Sequence, residues 1–341
     1  MSNTHAVLLV NLGSPNSTSL PDVRAYLKQF LMDKYVIDLP WLLRAMLIYG
    51  IILPFRPKKT AAAYNEIWTK SGSPLIITSQ SQQRLLQEQV FYPVELAMRY
   101  GTPSIPDTIA SLIMKNPLLK SIHVIPLYPH YAMSSTKTVE EEVKRVVKQM
   151  RNTIRLYFQP PFYNDPGYIE IMKNSIRSHL SSFDYLLFSY HGIPYRHLRK
   201  TDPTKHHCLS KNCCSRPSKA WDTCYQHQTV DSTHRIAESL GLSQSQYGIA
   251  YQSRLGRDPW LLPNTEDEIK RLASQGVKRL GVVCPSFVSD CLETLEEIKM
   301  EAREVFEENG GKSFTYIDCL NITPSWINLM KKWVESVSLP V

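Results

Sequence analysis

Short, almost continuously apolar runs alternate along this chain with longer stretches in which apolar residues recur every three or four positions. The runs at residues 7–12, 94–98, 122–127, 154–158, 185–190, 248–252 and 278–284 have the length and content of buried strands. Helical periodicity predicts helices over 20–32, 41–53, 135–150, 165–180, 265–273 and 323–337. Strands apolar on both faces and separated by helices indicate parallel sheets covered on both sides, so the predicted class is α/β. An echo links Leu8-Leu9-Val10-Asn11-Leu12-Gly13-Ser14-Pro15 with Leu186-Leu187-Phe188-Ser189-Tyr190-His191-Gly192-Ile193-Pro194. It suggests two similar Rossmann-like, doubly wound lobes, 1–150 and 151–322, with ligands in a cleft at the carboxyl ends of their strands. The last segment, 323–341, is expected to pack back on the first lobe.

Composition narrows this picture only a little. With 43% hydrophobic and 21% charged residues in 341, the chain can bury a real core, which excludes disorder and coiled coil as descriptions of the whole. The formal net charge of +8 suits nucleic acid, anionic lipid or an acidic small molecule without choosing among them. Residues 6–10 are too short an apolar run for a signal peptide, so a cytoplasmic protein is expected. Asp38, Pro40 and Arg44 interrupt the apolar stretch 36–55, which is thereby a poor spanning helix, though it could lie on a membrane. No G-x-G-x-x-G follows a strand and no Walker A sequence is present, so dinucleotide and P-loop readings have no support.

Candidate chemistry gathers at a few places. His191 stands just past a predicted strand, where Gly192 and Pro194 force a sharp exit that presents the imidazole to a cleft; the alternative is a satisfied structural histidine. Asp290, Glu293, Glu297 and Glu301 fall at spacings of three, four and four, which places their carboxylates on one face of a helix. That face is either solvated or a track for hard cations, which favour oxygen ligands. Cys208, Cys213, Cys214 and Cys224 crowd into a loop without the apolar periodicity that would bury them. A metal is the economical answer: four thiolates suit an iron–sulfur cluster or zinc, and His206, His207 and His227 keep mixed zinc ligation open. Scattered cations and aromatics, among them Arg56, Lys58, Lys59, Tyr64, Arg99, Tyr128, Tyr131, Tyr251, Arg254, Arg257 and Trp260, fit the rim of a pocket for a flat anion better than a nucleic-acid surface.

Taken together, His191 and Glu293 in their surroundings resemble the ferrochelatases, which insert ferrous iron into protoporphyrin IX to make protoheme. The likeness covers nearly the whole chain. It rests on Val10-Asn11-Leu12-Gly13-Ser14-Pro15, Gly72-Ser73-Pro74-Leu75, Ala97-Met98-Arg99-Tyr100-Gly101, Pro126-Leu127-Tyr128-Pro129-His130-Tyr131, Ser189 to Pro194, Gln252 to Trp260 and Ser289 to Leu295, in that order. The resemblance implies two Rossmann-like lobes with a porphyrin cleft between them, His191 as the active-site histidine that takes pyrrole protons or meets the metal, and Glu293 as its acidic partner. It further implies that Glu297 and Glu301 continue a carboxylate track for the metal. Leu12, Arg56, Tyr64, Arg99, Tyr128, Trp260, Phe287 and Asp290 would meet the substrate. Where the family commonly has a histidine beside that aspartate, this chain has Cys291.

The chemistry is coherent with that likeness. Metal insertion removes two pyrrole protons, for which a histidine near neutral pH is a natural base. Binding energy from the rest of the ring can be used to pucker its centre and expose the nitrogen lone pairs. The stretch 36–56 resembles the lip of protoporphyrin-type members, able to touch a bilayer at the inner face of the membrane. Met133 occupies the mid-chain position at which animal-type members have a cluster cysteine. The insertion at 200–227 instead resembles bacterial members whose four internal cysteines hold a [2Fe-2S] cluster, with structural zinc as the alternative. Readings from other classes are a non-catalytic porphyrin or heme carrier, a regulatory protein organised by the cysteine loop, and a cobalt chelatase of corrinoid synthesis.

Overall fold

The computed structural model describes residues 4–151, 153–254, 256 and 258–336. Leu255 and Arg257 of the 252–260 motif lie outside the described residues, as do the residues beyond 336. Two compact units divide the chain: Met1–Leu127 with Met133–Pro160 and Asn321–Val341, and Tyr128–Ala132 with Pro161–Leu320.

The first unit is wound on β1 (His5–Asn11), β2 (Val94–Met98), β3 (Ser121–Pro126) and β4 (Arg155–Phe158), all parallel, in the order β2-β1-β3-β4. The second repeats that winding with β5 (Tyr185–His191), β6 (Tyr247–Gln252), β7 (Arg279–Val283) and β8 (Ser313–Ile317), in the order β6-β5-β7-β8. The expected α/β class with parallel sheets is therefore what the chain adopts. In each unit the first strand is central, and the echo noted in the sequence falls on these two strands. Asn11 and His191 close them at matching register positions, opposite Met98 and Gln252.

The helix starts follow local chemistry. Ser19, Ser104, Asp165 and Asn264 cap helices Leu20–Leu31, Ile105–Lys115, Pro166–Arg177 and Thr265–Ser274 by accepting from first-turn N–H groups. In the first three a proline also occupies the opening turn, where its missing N–H is not needed. Strand β8 has no counterpart among the predicted strands. Its alternating Ser313-Phe314-Thr315-Tyr316-Ile317 is that of an edge strand, which the search for continuous apolar runs passes over.

Three elements depart from simple helical periodicity. The expected helix over 41–53 is α-helical over Trp41–Leu47, π-helical over Ile48–Ile52, and α-helical again over Leu53–Ile67. Its side chains at Trp41, Leu42, Met46, Ile51 and Phe55 are exposed, while buried Arg44 donates to the carbonyls of Ile37 and Leu39 at 3.1 and 3.0 Å. The helix expected from 135 opens as a π-turn at Met133–Lys137. The third is the segment that bears the carboxylates, which is π-helical over Leu295–Ala302.

Candidate active site and cysteine loop

His191 ends β5 under restraint from several directions. The strand before it is fixed by Ser189, whose hydroxyl donates to Gln252 Oε1 at 2.9 Å and lies 2.8 Å from Thr265 Oγ1, and by Tyr190, whose hydroxyl meets Thr233 Oγ1 at 2.6 Å. The His191 amide donates to Ser286 Oγ at 3.3 Å, and its carbonyl accepts from the Tyr225 hydroxyl at 2.9 Å. Its imidazole Nδ1 lies 2.7 Å from the Gly192 carbonyl oxygen. A carbonyl oxygen only accepts, so Nδ1 carries the proton and Nε2 of the neutral ring holds the free lone pair. Phe287 stands edge-on to the ring with centroids 6.5 Å apart. Glycine is required next: a Cβ at Gly192 would stand 2.9 Å from the Gln252 carbonyl oxygen, 3.0 Å from that of Ser253 and 3.2 Å from Trp260 Cε3.

Two carboxylates share this neighbourhood. The Gln252 side-chain amide donates to the Glu293 carbonyl at 2.6 Å, which ties the end of β6 to the start of the acidic segment. Ser253, in the left-handed region at φ 59°, donates from its N–H and its hydroxyl to the two Glu297 carboxylate oxygens, each at 2.7 Å. Burial lifts the Glu297 carboxyl above its ordinary value; Ser253 and His191 oppose that, and Glu293 adds to it. His191, Glu293 and Glu297 thus form one electrostatic group.

The predicted single helix face for Asp290, Glu293, Glu297 and Glu301 needs correction. The helix begins only at Leu292, and Leu295–Ala302 is π-helical. Asp290 precedes it, buried, and its carboxylate accepts from the hydroxyls of Thr294 at 3.0 Å and Tyr316 at 2.5 Å. An i→i+5 hydrogen-bond pattern widens each turn beyond 3.6 residues, bringing the repeat nearer to the four-residue spacing of Glu293, Glu297 and Glu301. Glu301 lies exposed near the far end of that stretch.

The remaining candidates have the following places. In the first unit Leu12 follows β1, its carbonyl accepting from Tyr100 N at 2.8 Å, and Arg99 follows β2, its N–H donating to the Asn11 carbonyl at 2.8 Å. The Arg99 guanidinium is held by Asp33 at 2.5 Å and Thr138 at 2.7 Å, and Asp33 also accepts from Tyr100 at 2.9 Å. Tyr64 is buried edge-on to Tyr26, and Arg56 is exposed. In the second unit Tyr128 is half-buried, and Trp260 pairs through its backbone with Pro194. Sequence reasoning missed Tyr225, whose contact with the distant His191 carbonyl leaves no local signal, and gave no separate role to Ser253 or Ser286, which it met only within motifs.

The cysteine loop is organised by Asp202, which is buried and accepts from the backbone N–H groups of Thr204, His207 and Cys208 at 2.8 Å each. Those bonds hold its carboxyl well below the usual range in spite of burial. Contrary to the expectation that the loop could not bury its thiols, Cys208, Cys213 and Cys224 are buried, although the loop has no periodic apolar residues. The Cys208 and Cys224 thiols interact, which raises the first and lowers the second, and Cys213 and Cys214 have sulfurs 4.0 Å apart. His207 Nε2 and His227 Nδ1 lie 2.8 and 3.0 Å from the Cys213 and Cys214 carbonyl oxygens, so each ring commits one nitrogen to the backbone. Trp221 stacks on His227 at 4.0 Å. Among the described residues no three His, Cys, Asp or Glu are grouped so as to hold a metal ion, which departs from the expectation for this loop and for the carboxylate track. The thiols stand instead as two neighbouring pairs.

The chain is a doubly wound α/β protein that carries a histidine and carboxylates after the strands of its second sheet. Its fold matches the sirohydrochlorin chelatase SirB from Bacillus subtilis subspecies spizizenii in complex with cobalt, with TM-score 0.54, 12% identity, and 97% of this chain and 94% of that one covered. It also matches CbiX, the terminal enzyme for biosynthesis of siroheme in denitrifying bacteria, with TM-score 0.50, 11% identity, and 98% and 100% covered. The ferrochelatase family model matches residues 4–338. Curated ferrochelatases from Pseudomonas savastanoi pv. phaseolicola and Ectopseudomonas mendocina are 46% and 48% identical to this chain, over 98% and 97% of both partners respectively. The chain belongs to the ferrochelatase family. That membership favours the enzyme over the carrier reading.

Proposed function

We propose that this chain inserts ferrous iron into protoporphyrin IX, releasing two protons and forming protoheme, with His191 Nε2 as acceptor of the pyrrole protons. The observation that supports this most directly is the Nδ1–Gly192 contact, which leaves Nε2 with its lone pair on a ring that interacts electrostatically with Glu297. A neutral imidazole takes a proton from the macrocycle, and the neighbouring carboxylates stabilise the imidazolium and receive the proton in turn. The same carboxylates, with Glu301 outermost, offer hard oxygen donors to the incoming ferrous ion, which is substrate here. Of the family-derived substrate contacts, Phe287 lies against the His191 ring, which gives it an apolar wall. Leu12, Arg56, Tyr64, Arg99, Tyr128, Trp260 and Asp290 are carried forward residue by residue as proposed contacts.

Anaerobic conversion of protoporphyrin IX and ferrous iron to protoheme by the parent protein, with a loss of about a hundredfold or more in folded His191→Ala and Glu293→Ala variants, is the expected outcome. Full turnover by either folded variant would overturn the assignment of that residue.

For the cysteine loop the proposed occupant is a [2Fe-2S] cluster held by Cys208, Cys213, Cys214 and Cys224, with structural zinc as the alternative. The residue types are of suitable chemistry, with the Cys213 and Cys214 carbonyls steadied by imidazoles, and binding would have to draw the two pairs of thiols together, since no three of them are grouped about one point among the described residues. Bound there, the group would cross-link the loop. Anaerobically purified protein is expected to absorb between about 400 and 600 nm and to contain iron with acid-labile sulfide. Stoichiometric zinc without sulfide would select the alternative. We further propose a bilayer contact for the lip, supported by its exposed apolar side chains and the chain's net charge of +8.

A further inference from the structure

The peptide carrying His191 is held at both its N–H and its carbonyl by side-chain hydrogen bonds, which the sequence motif around the histidine does not contain. The His191 N–H donates to Ser286 Oγ at 3.3 Å, and the His191 carbonyl accepts from the Tyr225 hydroxyl at 2.9 Å. Both backbone polar groups of residue 191 are thereby held by side chains from elsewhere in the fold. Tyr225 opens helix Tyr225–Ser239, and Ser286 follows β7. The Tyr225 ring is 4% exposed and packs edge-on to His130, with centroids 6.0 Å apart and planes at 74°. It therefore has little freedom to withdraw.

We infer that Tyr225 is a positioning residue for the chelatase reaction, fixing the His191 peptide, and through it the imidazole, in the orientation that aims Nε2 at the reacting centre. Three physical points support this. The hydroxyl is buried and its phenol is pushed up by that burial, so it remains a donor throughout the working pH range. The rotation of the imidazole is already restricted by Nδ1 on the Gly192 carbonyl, so the remaining freedom of the side chain is that of the peptide unit itself. Small displacements of a catalytic group lower the rate sharply while leaving ground-state binding nearly unchanged. Tyr225 makes no claim on the substrate; its effect passes through His191.

This inference rests on His191 being the proton acceptor, and its test separates the two. Tyr225→Phe keeps the ring packed on His130 and removes only the hydroxyl, and Ser286→Ala removes the other hydroxyl. Each is expected to lower kcat for protoheme formation about tenfold, with protoporphyrin affinity, read by fluorescence quenching, within twofold of the parent. Amide exchange at the end of β5 is expected to accelerate in both variants, while the rest of the second unit keeps its protection. Because the two hold one peptide unit, the double variant should lose much less than the product of the single losses. If His191→Ala is inactive but both single variants keep kcat within twofold, the positioning role is wrong and the histidine assignment stands. If kcat and porphyrin affinity fall together, the hydroxyl serves substrate binding and the inference is overturned. If His191→Ala is fully active, it is the proton-acceptor reading that fails. Should Tyr225→Phe not fold, Ser286→Ala alone decides by the same criteria.

Discussion

His130 is enclosed by the rings of Tyr163, Tyr190 and Tyr225, at centroid distances of 6.1, 5.3 and 6.0 Å, and has no room for a solvated charge. Its Nε2 meets Ser232 Oγ at 2.9 Å, and among the described residues Nδ1 has no partner. Burial lowers its pKa to about 3, against 6.5 for an unrestrained histidine. Between those values the unfolded chain binds a proton that the folded one refuses. The contribution is thus complete above about pH 6.5 and is lost as pH falls toward 3, by about 1.4 kcal/mol per pH unit. Urea unfolding of the parent and of His130→Gln between pH 7 and 4.5 should show a flatter dependence in the variant; equal slopes would remove His130 as the cause. The sequence exposed His191 because a glycine and a proline mark the turn beside it. Tyr225 carried no such mark: it follows Cys224 in a polar stretch, and only folding brings its hydroxyl to the His191 carbonyl.

At the level of elements, strands were more legible than the segments bearing the carboxylates and the lip. A buried parallel strand is a run of apolar residues ending in a turn, and β2 falls at the expected bounds, Val94–Met98. A short π-helical stretch is close enough to helical spacing that a 3.6-residue pattern does not tell it from an α-helix, so Ile48–Ile52 and Leu295–Ala302 read in the sequence as ordinary helix. The lip shows what such a segment can present. Trp41, Leu42, Met46 and Phe55 are 66%, 61%, 54% and 76% exposed, too many large apolar side chains on one short segment to be chance single exposures. No helix among the described residues is long and apolar enough to cross a membrane, so a contact would be along the surface. Co-sedimentation with vesicles containing anionic phospholipid should be reduced about tenfold by a Trp41→Glu, Phe55→Glu double variant that retains its fold. Equal binding by parent and variant would rule the lip out as the contact. The cysteine loop was legible as a cluster of thiols but not as a shape, since its order comes from Asp202 and backbone N–H groups.

Across the whole molecule, the repeated strand order was only hinted at by one echo in the sequence, since two windings can share a topology while sharing few residues. The last helix, Pro324–Ser336, belongs to the first unit: it packs on helix Pro74–Gln87, Gln82 Nε2 donates to the Asn321 carbonyl at 2.7 Å, and Trp326, Ile327, Met330 and Trp333 are buried. The first unit is thus built from segments that lie on both sides of the second in the chain. On the ribosome, the roughly 160 residues of the second unit must be translated in between, which takes about 10–30 s at ordinary elongation rates. For that interval the nascent first unit lacks its closing helix and leaves uncovered the apolar surface that will receive the two tryptophans. The birth order of the chain therefore makes the unit synthesised first the one completed last, and gives chaperones their longest exposure at that surface.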